Sequence, residues 1–170
     1  MTRFFTLGFG VVCYAVFFIT FLYMIGFVGN VIVPKTIDSG DAVGFGRALL
    51  INTALLLLFG LQHSVMARPR FKAWWTRFVP LAIERSTYVL ASSLVLVALF
   101  AWWQPIATPV WAVQNPIGSA ALTALYFAGF GLVLYSTFLI DHFDLFGLRQ
   151  VVLHFRNRDY SERNFKLPAL

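Results

Sequence analysis

Three short clusters of polar residues border long apolar stretches of this 170-residue chain. They are Gln62, His63 and Ser64, then Glu84, Arg85, Ser86, Thr87 and Tyr88, and finally Asp141, His142 and Asp144. A histidine can transfer protons near neutral pH, and carboxylate, guanidinium and phenol groups beside it can orient it or hold a charged ligand. Polar groups in or near apolar helices are the default candidates for function. The clusters therefore predict a site at the ends of these stretches.

His63 has the widest chemical range of these residues, and several interpretations of it are open. On a helix, one stripe would carry Asn52, Leu56, Phe59, His63 and Met66. A stripe that contains polar residues should face other helices, so we expect His63 to point inward. It could be a buried histidine bonded to a neighbouring helix, a catalytic or ligand-positioning group, or a ligand of a metal or haem.

The cluster from Glu84 to Tyr88 also has simpler explanations. Ser86 or Thr87 could cap a helix that begins there. Glu84 and Arg85 could form a solvated ion pair, which contributes little to stability. The residue types alone leave a structural and a functional role open.

Four apolar segments must position the clusters, at residues 7–29, 48–66, 87–103 and 119–140. Each has the roughly 17–25 residues that a helix needs to cross a bilayer, and none contains a charged residue. Backbone groups in lipid must be satisfied within the chain, which leaves the helix as the form of these segments. The predicted fold class is all-α, a polytopic transmembrane bundle of about four helices.

The composition agrees with a membrane environment. The chain is 59% hydrophobic and 12% charged, with a mean hydropathy of +0.77, whereas soluble domains are roughly 25% charged. A soluble core of this size could not bury so much apolar surface, but lipid can surround it. Cys13 is the single cysteine, which excludes an intrachain disulfide or a cysteine zinc site.

The basic residues indicate orientation rather than nucleic-acid binding. The net charge is +6. All 13 basic residues except Lys35 and Arg47 lie before the first segment, between the second and third, or after the fourth. The positive-inside rule places those regions, and both termini, in the cytoplasm. We therefore predict no nucleic-acid partner and a site that opens to the cytosol.

Three stretches of the chain resemble the bacterial methanethiol S-methyltransferases. They are QHSVMARPRFKAWWTRFVPLAIERSTYVLASS at 62–93, WWQPI at 102–106 and HFDLFGLRQV at 142–151. With the hydropathy pattern, the resemblance covers essentially the whole chain. The family is one of the integral membrane methyltransferases that include isoprenylcysteine carboxyl methyltransferase. The resemblance implies transfer of a methyl group from S-adenosyl-L-methionine to methanethiol, giving dimethyl sulfide, in a bacterial inner membrane.

The resemblance also implies roles for the polar clusters. His63 is the predicted base or thiolate stabiliser, because a small alkyl thiol is mostly protonated at neutral pH. Arg77 and Arg85 could supply positive potential, and Glu84 and Tyr88 could orient His63 or approach the sulfonium. The predicted catalytic residues are His63, Glu84, Arg85 and Tyr88, and no metal ligand is assigned. The predicted substrate-binding residues are Gln62, Arg77, Ser86, Thr87, His142 and Asp144.

Members of this superfamily bind S-adenosyl-L-methionine mainly through a C-terminal part, with an Arg-His-Pro motif followed by paired glutamates. Neither feature occurs in this sequence. We therefore expect residues 1–154 to form a transmembrane domain. Residues 155–170 should form a polar cytoplasmic tail that leads into a missing cofactor-binding part.

Two other functions are compatible with the same residues. His63 and His142 could ligate one haem iron from opposite sides. The polar helix ends could instead dock another chain, as in a non-catalytic scaffold or partner subunit. The sequence does not indicate an oligomeric state.

Overall fold

A computed structural model describes residues 2–41, 43–106, 109 and 111–161, and all regular structure within them is helical. The helices are α1 (Arg3–Gly29), α2 (Phe45–Met66), α3 (Pro69–Trp75), α4 (Leu81–Trp102), α5 (Pro116–Ile140), α6 (His142–Leu145) and α7 (Leu148–Phe155). Four of them, α1, α2, α4 and α5, are long and apolar enough to cross a membrane. The chain is therefore an integral membrane protein, and the predicted all-α fold with four spans is confirmed.

Local sequence determines where several of these helices begin and end. Asn30 ends α1 in the left-handed conformation, with its N–H bonded to the Gly26 carbonyl. The Asn115 side chain caps α5 by accepting hydrogen bonds from the backbone N–H groups of Ile117 and Gly118. Pro116 follows in the first turn of α5, where its missing N–H costs no hydrogen bond.

All four long helices begin earlier than predicted, and the difference is largest at α4. Its N-cap is Pro80, so Ser86 and Thr87 lie within the helix, and the prediction that one of them caps it is wrong. Thr87 Oγ1 instead donates to the Ile83 carbonyl at 2.8 Å. A change from apolar to charged residues marks the edge of the apolar segment, but the helix continues past that edge.

The bundle is built around α1 and α4, which pack along one another. Phe27, Leu99 and Phe100 form a buried cluster where both helices end. Asn52 joins α2 to the end of α4 through two hydrogen bonds with the Gln104 backbone, at 2.8 and 2.9 Å. Asn52 thus faces the protein interior, as its place on the predicted stripe required.

Three short helices that the apolar pattern did not predict cover the opposite end of the bundle, called here the polar end. It carries α3, α6 and α7, and α7 packs against both α1 and α4. A side chain at Gly10 of α1 would collide with Val151 of α7, at 2.5 Å from its Cγ2. Arg3 at the start of α1 donates to Asn157 Oδ1 at 2.6 Å. The contacts hold α7 against the ends of the two central helices.

The helix α5 is attached to the rest of the bundle by few contacts, and none of its residues is buried. Tyr126 donates a hydrogen bond to the Ile25 carbonyl of α1 at 2.5 Å. Phe130 makes an edge contact with Phe21, with ring centroids 6.0 Å apart. Residues 162–170, which include most of the predicted polar tail, lie outside the described residues.

Candidate active site

Two cavities at the polar end of the bundle share a lining residue and differ in chemical character. One is an apolar cavity of about 370 Å³, between α1, α2, α4 and α6. The other is a polar cavity of about 650 Å³, lined by α3, α4, α7 and the segment after α7. Arg85 lines both of them. The site is therefore a pair of neighbouring compartments with one shared cationic side chain.

The apolar cavity has mostly aromatic and aliphatic walls. These are formed by Phe17, Phe21, Met24, Phe59, Val89, Leu96, Leu145 and Phe146. The Phe17 and Phe146 rings stack with centroids 3.8 Å apart, which closes the wall between α1 and α6. The polar residues that line it are Thr20, His63, Arg85, Tyr88, Ser92 and Ser93, and each acts beside apolar side chains that lower the local dielectric constant.

His63 lies on the wall of the apolar cavity and contacts α4. The Tyr88 hydroxyl oxygen is 3.0 Å from His63 Nδ1 and 3.1 Å from Nε2. Ser92 Oγ, one turn further along α4, is 3.4 Å from Nδ1, and Phe59 stacks on the imidazole with centroids 5.4 Å apart. The contact with a neighbouring helix fits one of the open interpretations of His63, but the residue is exposed rather than buried. Its ring is thus both oriented and accessible.

The polar cavity carries charges of both signs. Lys72, Arg85, His154 and Arg158 line it, together with Glu84, Gln150, Asp159 and Tyr160. Glu84 is buried and its Oε2 lies 3.8 Å from Lys72 Nζ. Glu84 therefore pairs with α3, whereas Tyr88 is the predicted residue that contacts His63. The cavity can hold a ligand that has both a cationic and an anionic group.

Two buried polar atoms beside the polar cavity have no hydrogen-bond partner among the described residues. They are Arg85 Nε, a donor, and Gln150 Oε1, an acceptor. Buried polar groups are almost always paired, and an unpaired one costs about 1–3 kcal/mol. Arg85 of α4 and Gln150 of α7 both line the polar cavity, so a ligand there can offer an acceptor to the first and a donor to the second.

Several predicted substrate-binding residues lie outside the linings of both cavities. Ser86 is fully buried against Gly147, whose positive φ of 85° and lack of a side chain allow this close approach. Gln62 donates to Met66 Sδ at 3.0 Å. Arg77 is exposed between α3 and α4. The structure therefore does not bring these three residues, or Thr87, together with His63.

His142 is buried beside the end of α5 and lines neither cavity. Its Nε2 lies 2.8 Å from the Tyr14 hydroxyl, and its Nδ1 lies 2.7 Å from Thr137 Oγ1. The ring stacks on Phe138 with centroids 4.2 Å apart. Both ring nitrogens are engaged, so the arrangement does not favour the haem alternative. His142 supports α6, whose Leu145 lines the apolar cavity.

Asp144 also has a structural setting at the polar end. Its Oδ1 accepts from Arg149 Nη1 at 3.2 Å, and its Oδ2 accepts from the Tyr160 hydroxyl at 3.3 Å. These contacts hold α7 and the segment after it to α6. Within the part of the chain that the structure describes, no group of three or more His, Cys, Asp or Glu side chains could hold a metal ion.

Burial lowers the pKa of His142 below its ordinary value of 6.5. The unfolded chain therefore binds a proton below pH 6.5 that the folded protein resists, so the contribution to stability is present above that pH and lost as the pH falls. We expect the unfolding temperature in detergent to decrease from pH 7.5 to pH 5. His142→Gln should show a smaller decrease, and equal pH slopes for both proteins would contradict this assignment.

Sequence reasoning missed the polar residues of α7 and one residue of α4. Gln150 and His154 are four residues apart and therefore share one face of α7. Ser92 stands four residues after Tyr88 and falls on the same face of α4. The spacing of four was visible in both stretches. The short length of α7 and the apolar residues around Ser92 obscured it.

Comparison with known proteins identifies several long matches. The chain is 50% identical over 169 residues to the methanethiol S-methyltransferase of Crocosphaera subtropica, covering 99% of this chain and 66% of the relative. It is 50% identical over 170 residues to that of Mycobacterium tuberculosis, covering 100% and 70%. It is 51% identical over 162 residues to methanethiol S-methyltransferase 2 of Bradyrhizobium diazoefficiens, covering 95% and 62%.

No family model and no solved structure matches the chain. The chain spans about two thirds of the length of the curated relatives it matches. The alignments extend over nearly all of its residues, including the helices that line both cavities. On this evidence, the chain belongs to the methanethiol S-methyltransferase family.

Proposed function

We propose that this chain takes part in the methylation of methanethiol by S-adenosyl-L-methionine, giving dimethyl sulfide. The observation that carries the proposal is the pair of cavities that meet at Arg85, one apolar and one polar, with His63 on the apolar side. A small apolar thiol suits the first cavity, and a large zwitterionic cofactor suits the second. The names of the relatives support the same assignment.

On the thiol side, the chain must generate and hold a thiolate, because the thiolate and not the thiol is the nucleophile. His63 accepts the thiol proton, and the Tyr88 and Ser92 hydroxyl groups keep its ring at the cavity wall. The Arg85 guanidinium stabilises the negative charge on sulfur. The aromatic and aliphatic walls strengthen this effect, because they lower the local dielectric constant.

On the cofactor side, the residues of the polar cavity fit the groups of S-adenosyl-L-methionine. Lys72 and Arg158 would hold its carboxylate, and Asp159 its ammonium group. The unpaired Arg85 Nε and Gln150 Oε1 match an acceptor and a donor on the cofactor. When bound, the cofactor supplies a methyl group already activated on a sulfonium. The chain mainly has to position the two reactants.

The proposal includes a location for the site. The protein lies in the inner membrane of a bacterium, with the polar end and both termini in the cytoplasm, where the basic residues concentrate. Cofactor and thiol then both enter from the cytosol. No observation favours the haem-protein or scaffold alternatives.

The experiment measures dimethyl sulfide in the headspace over membranes supplied with methanethiol and S-adenosyl-L-methionine. It compares this 170-residue chain, the open reading frame that encodes it expressed in full, and an empty vector. Product from the chain itself would mean that its residues suffice for both sites. Product from the complete reading frame alone would mean that the 170 residues form one wall of the cofactor site. Only background product from both would overturn the proposal.

A further inference from the structure

We propose that the apolar cavity accepts thiols much larger than methanethiol, namely short-chain alkanethiols and benzenethiol, and that these are methylated more efficiently. This inference rests on the proposed function. The cavity has a volume of about 370 Å³, which lies within the ~300–1,000 Å³ of pockets for drug-sized ligands. Methanethiol has two non-hydrogen atoms and would leave most of this volume unfilled.

The cavity extends along the helices, with His63, Arg85 and Tyr88 toward the polar end and Thr20, Ser92 and Ser93 further in. Its lining on α4 runs from Arg85 to Leu96, which is ~16 Å at 1.5 Å per residue. Its lining on α1 runs from Phe17 to Met24, ~10 Å by the same measure. His63 lies near the polar end of α2. A thiol with sulfur at His63 therefore has room for an alkyl chain pointing away from the polar end.

The deep part of the cavity suits an apolar chain of variable shape. Phe21 and Leu96 offer apolar surface there, and Met24 has a flexible, polarisable side chain that adapts to different occupants. Each methylene buried in such a place contributes about fourfold to binding. We expect kcat/KM to rise from methanethiol through ethanethiol and 1-propanethiol to 1-butanethiol.

The reaction is the same for every thiol of this class. The thiol proton passes to the imidazole of His63, and the thiolate sulfur forms a bond to the methyl carbon as the bond from that carbon to the sulfonium sulfur breaks. The bonding electron pair stays on the leaving sulfur, which becomes a neutral thioether. The products are a methyl thioether, S-adenosylhomocysteine and a proton released to solvent. No oxidant or reductant is required.

The test uses membranes that contain the complete reading frame, S-adenosyl-L-methionine and the thiol series with benzenethiol added. Thioethers are quantified by gas chromatography with mass detection. Rising kcat/KM along the series would support the proposal. Methylation of methanethiol with kcat/KM falling at ethanethiol and beyond would overturn it and leave the proposed function intact. Methylation of no thiol would overturn both.

A pair of variants locates the alkyl chain within the protein. Leu96→Trp fills the deep part of the cavity and should lower the ratio of kcat/KM for 1-butanethiol to that for methanethiol by at least about tenfold. Leu94→Trp makes the same exchange at an exposed position on the same helix that does not line the cavity. If Leu96→Trp membranes still methylated methanethiol and the ratio of the two kcat/KM values were unchanged, this placement of the alkyl chain would be overturned.

Discussion

Replacing His63 with alanine should lower the rate of dimethyl sulfide formation about 10²–10⁴-fold at neutral pH, the usual contribution of a general base. The reason is that the variant has no group at the cavity wall to take the thiol proton. The loss should shrink as the pH rises, because the thiol then ionises without help. The rate of headspace dimethyl sulfide formation between pH 6.5 and 9.5 is the measurement.

Two further variants separate the chemistry of His63 from its surroundings. Tyr88→Phe keeps the ring but removes the hydroxyl group at 3.0 Å from His63 Nδ1, so it should cost less than the loss of the imidazole. Leu61→Ala changes an exposed side chain on the same helix that lines neither cavity, and it should retain the full rate. If His63→Ala lost the same factor at every pH, the role of His63 would be structural rather than that of a base.

Replacing Arg85 with glutamine should weaken both halves of the site at once. The guanidinium lines the two cavities, so its loss removes a charge from the thiolate and a donor from the cofactor. A hydrogen bond to a charged group contributes about 1.5–3 kcal/mol, which corresponds to about a 10- to 150-fold loss in kcat/KM for each reactant. Initial rates with each reactant varied in turn give the two values.

Arg85→Lys and Arg77→Gln are the matched controls for this prediction. Lysine keeps the positive charge but has no Nε donor, so it should restore the thiol side more than the cofactor side. Arg77 was also predicted to supply positive potential, but its side chain is exposed and lines neither cavity. Arg77→Gln should change kcat/KM for methanethiol and for S-adenosyl-L-methionine by less than about twofold each, because exposed charges are screened. A larger effect at Arg77 than at Arg85 would reverse the assignment.

The four membrane spans could be predicted because each is a long uncharged run, and lipid permits only a helix there. The ends of the helices were harder to predict. Glu84 and Arg85 mark the end of an apolar run, yet α4 begins at Leu81. The short helix α7 is held by α1 and α4, and α6 contacts Tyr14 of α1. These contacts are distant in sequence, and no local pattern in such short segments is strong enough to reveal the helices.

Within the site, the sequence located the polar clusters but could not tell which members face the cavities. Arg85 and Ser86 are neighbours, yet their directions differ by about 100° around the helix. Arg85 lines the cavities, whereas Ser86 is buried against Gly147. Gln62 and His63 differ in the same way. Which side chain faces a cavity depends on how each helix is rotated about its axis. Packing against the neighbouring helices determines this rotation, and the residue types do not.

The close contact between Gly10 and Val151 has a consequence for the biogenesis of the protein. The segment that forms α7 leaves the ribosome after α1 to α6, and its binding surface includes α1 and α4. Gln150 and His154 can therefore join Arg85 only after the earlier spans have been inserted and paired. A nascent chain that ends before α7 lacks one wall of the polar cavity, so this cavity forms only after the central helices are in place.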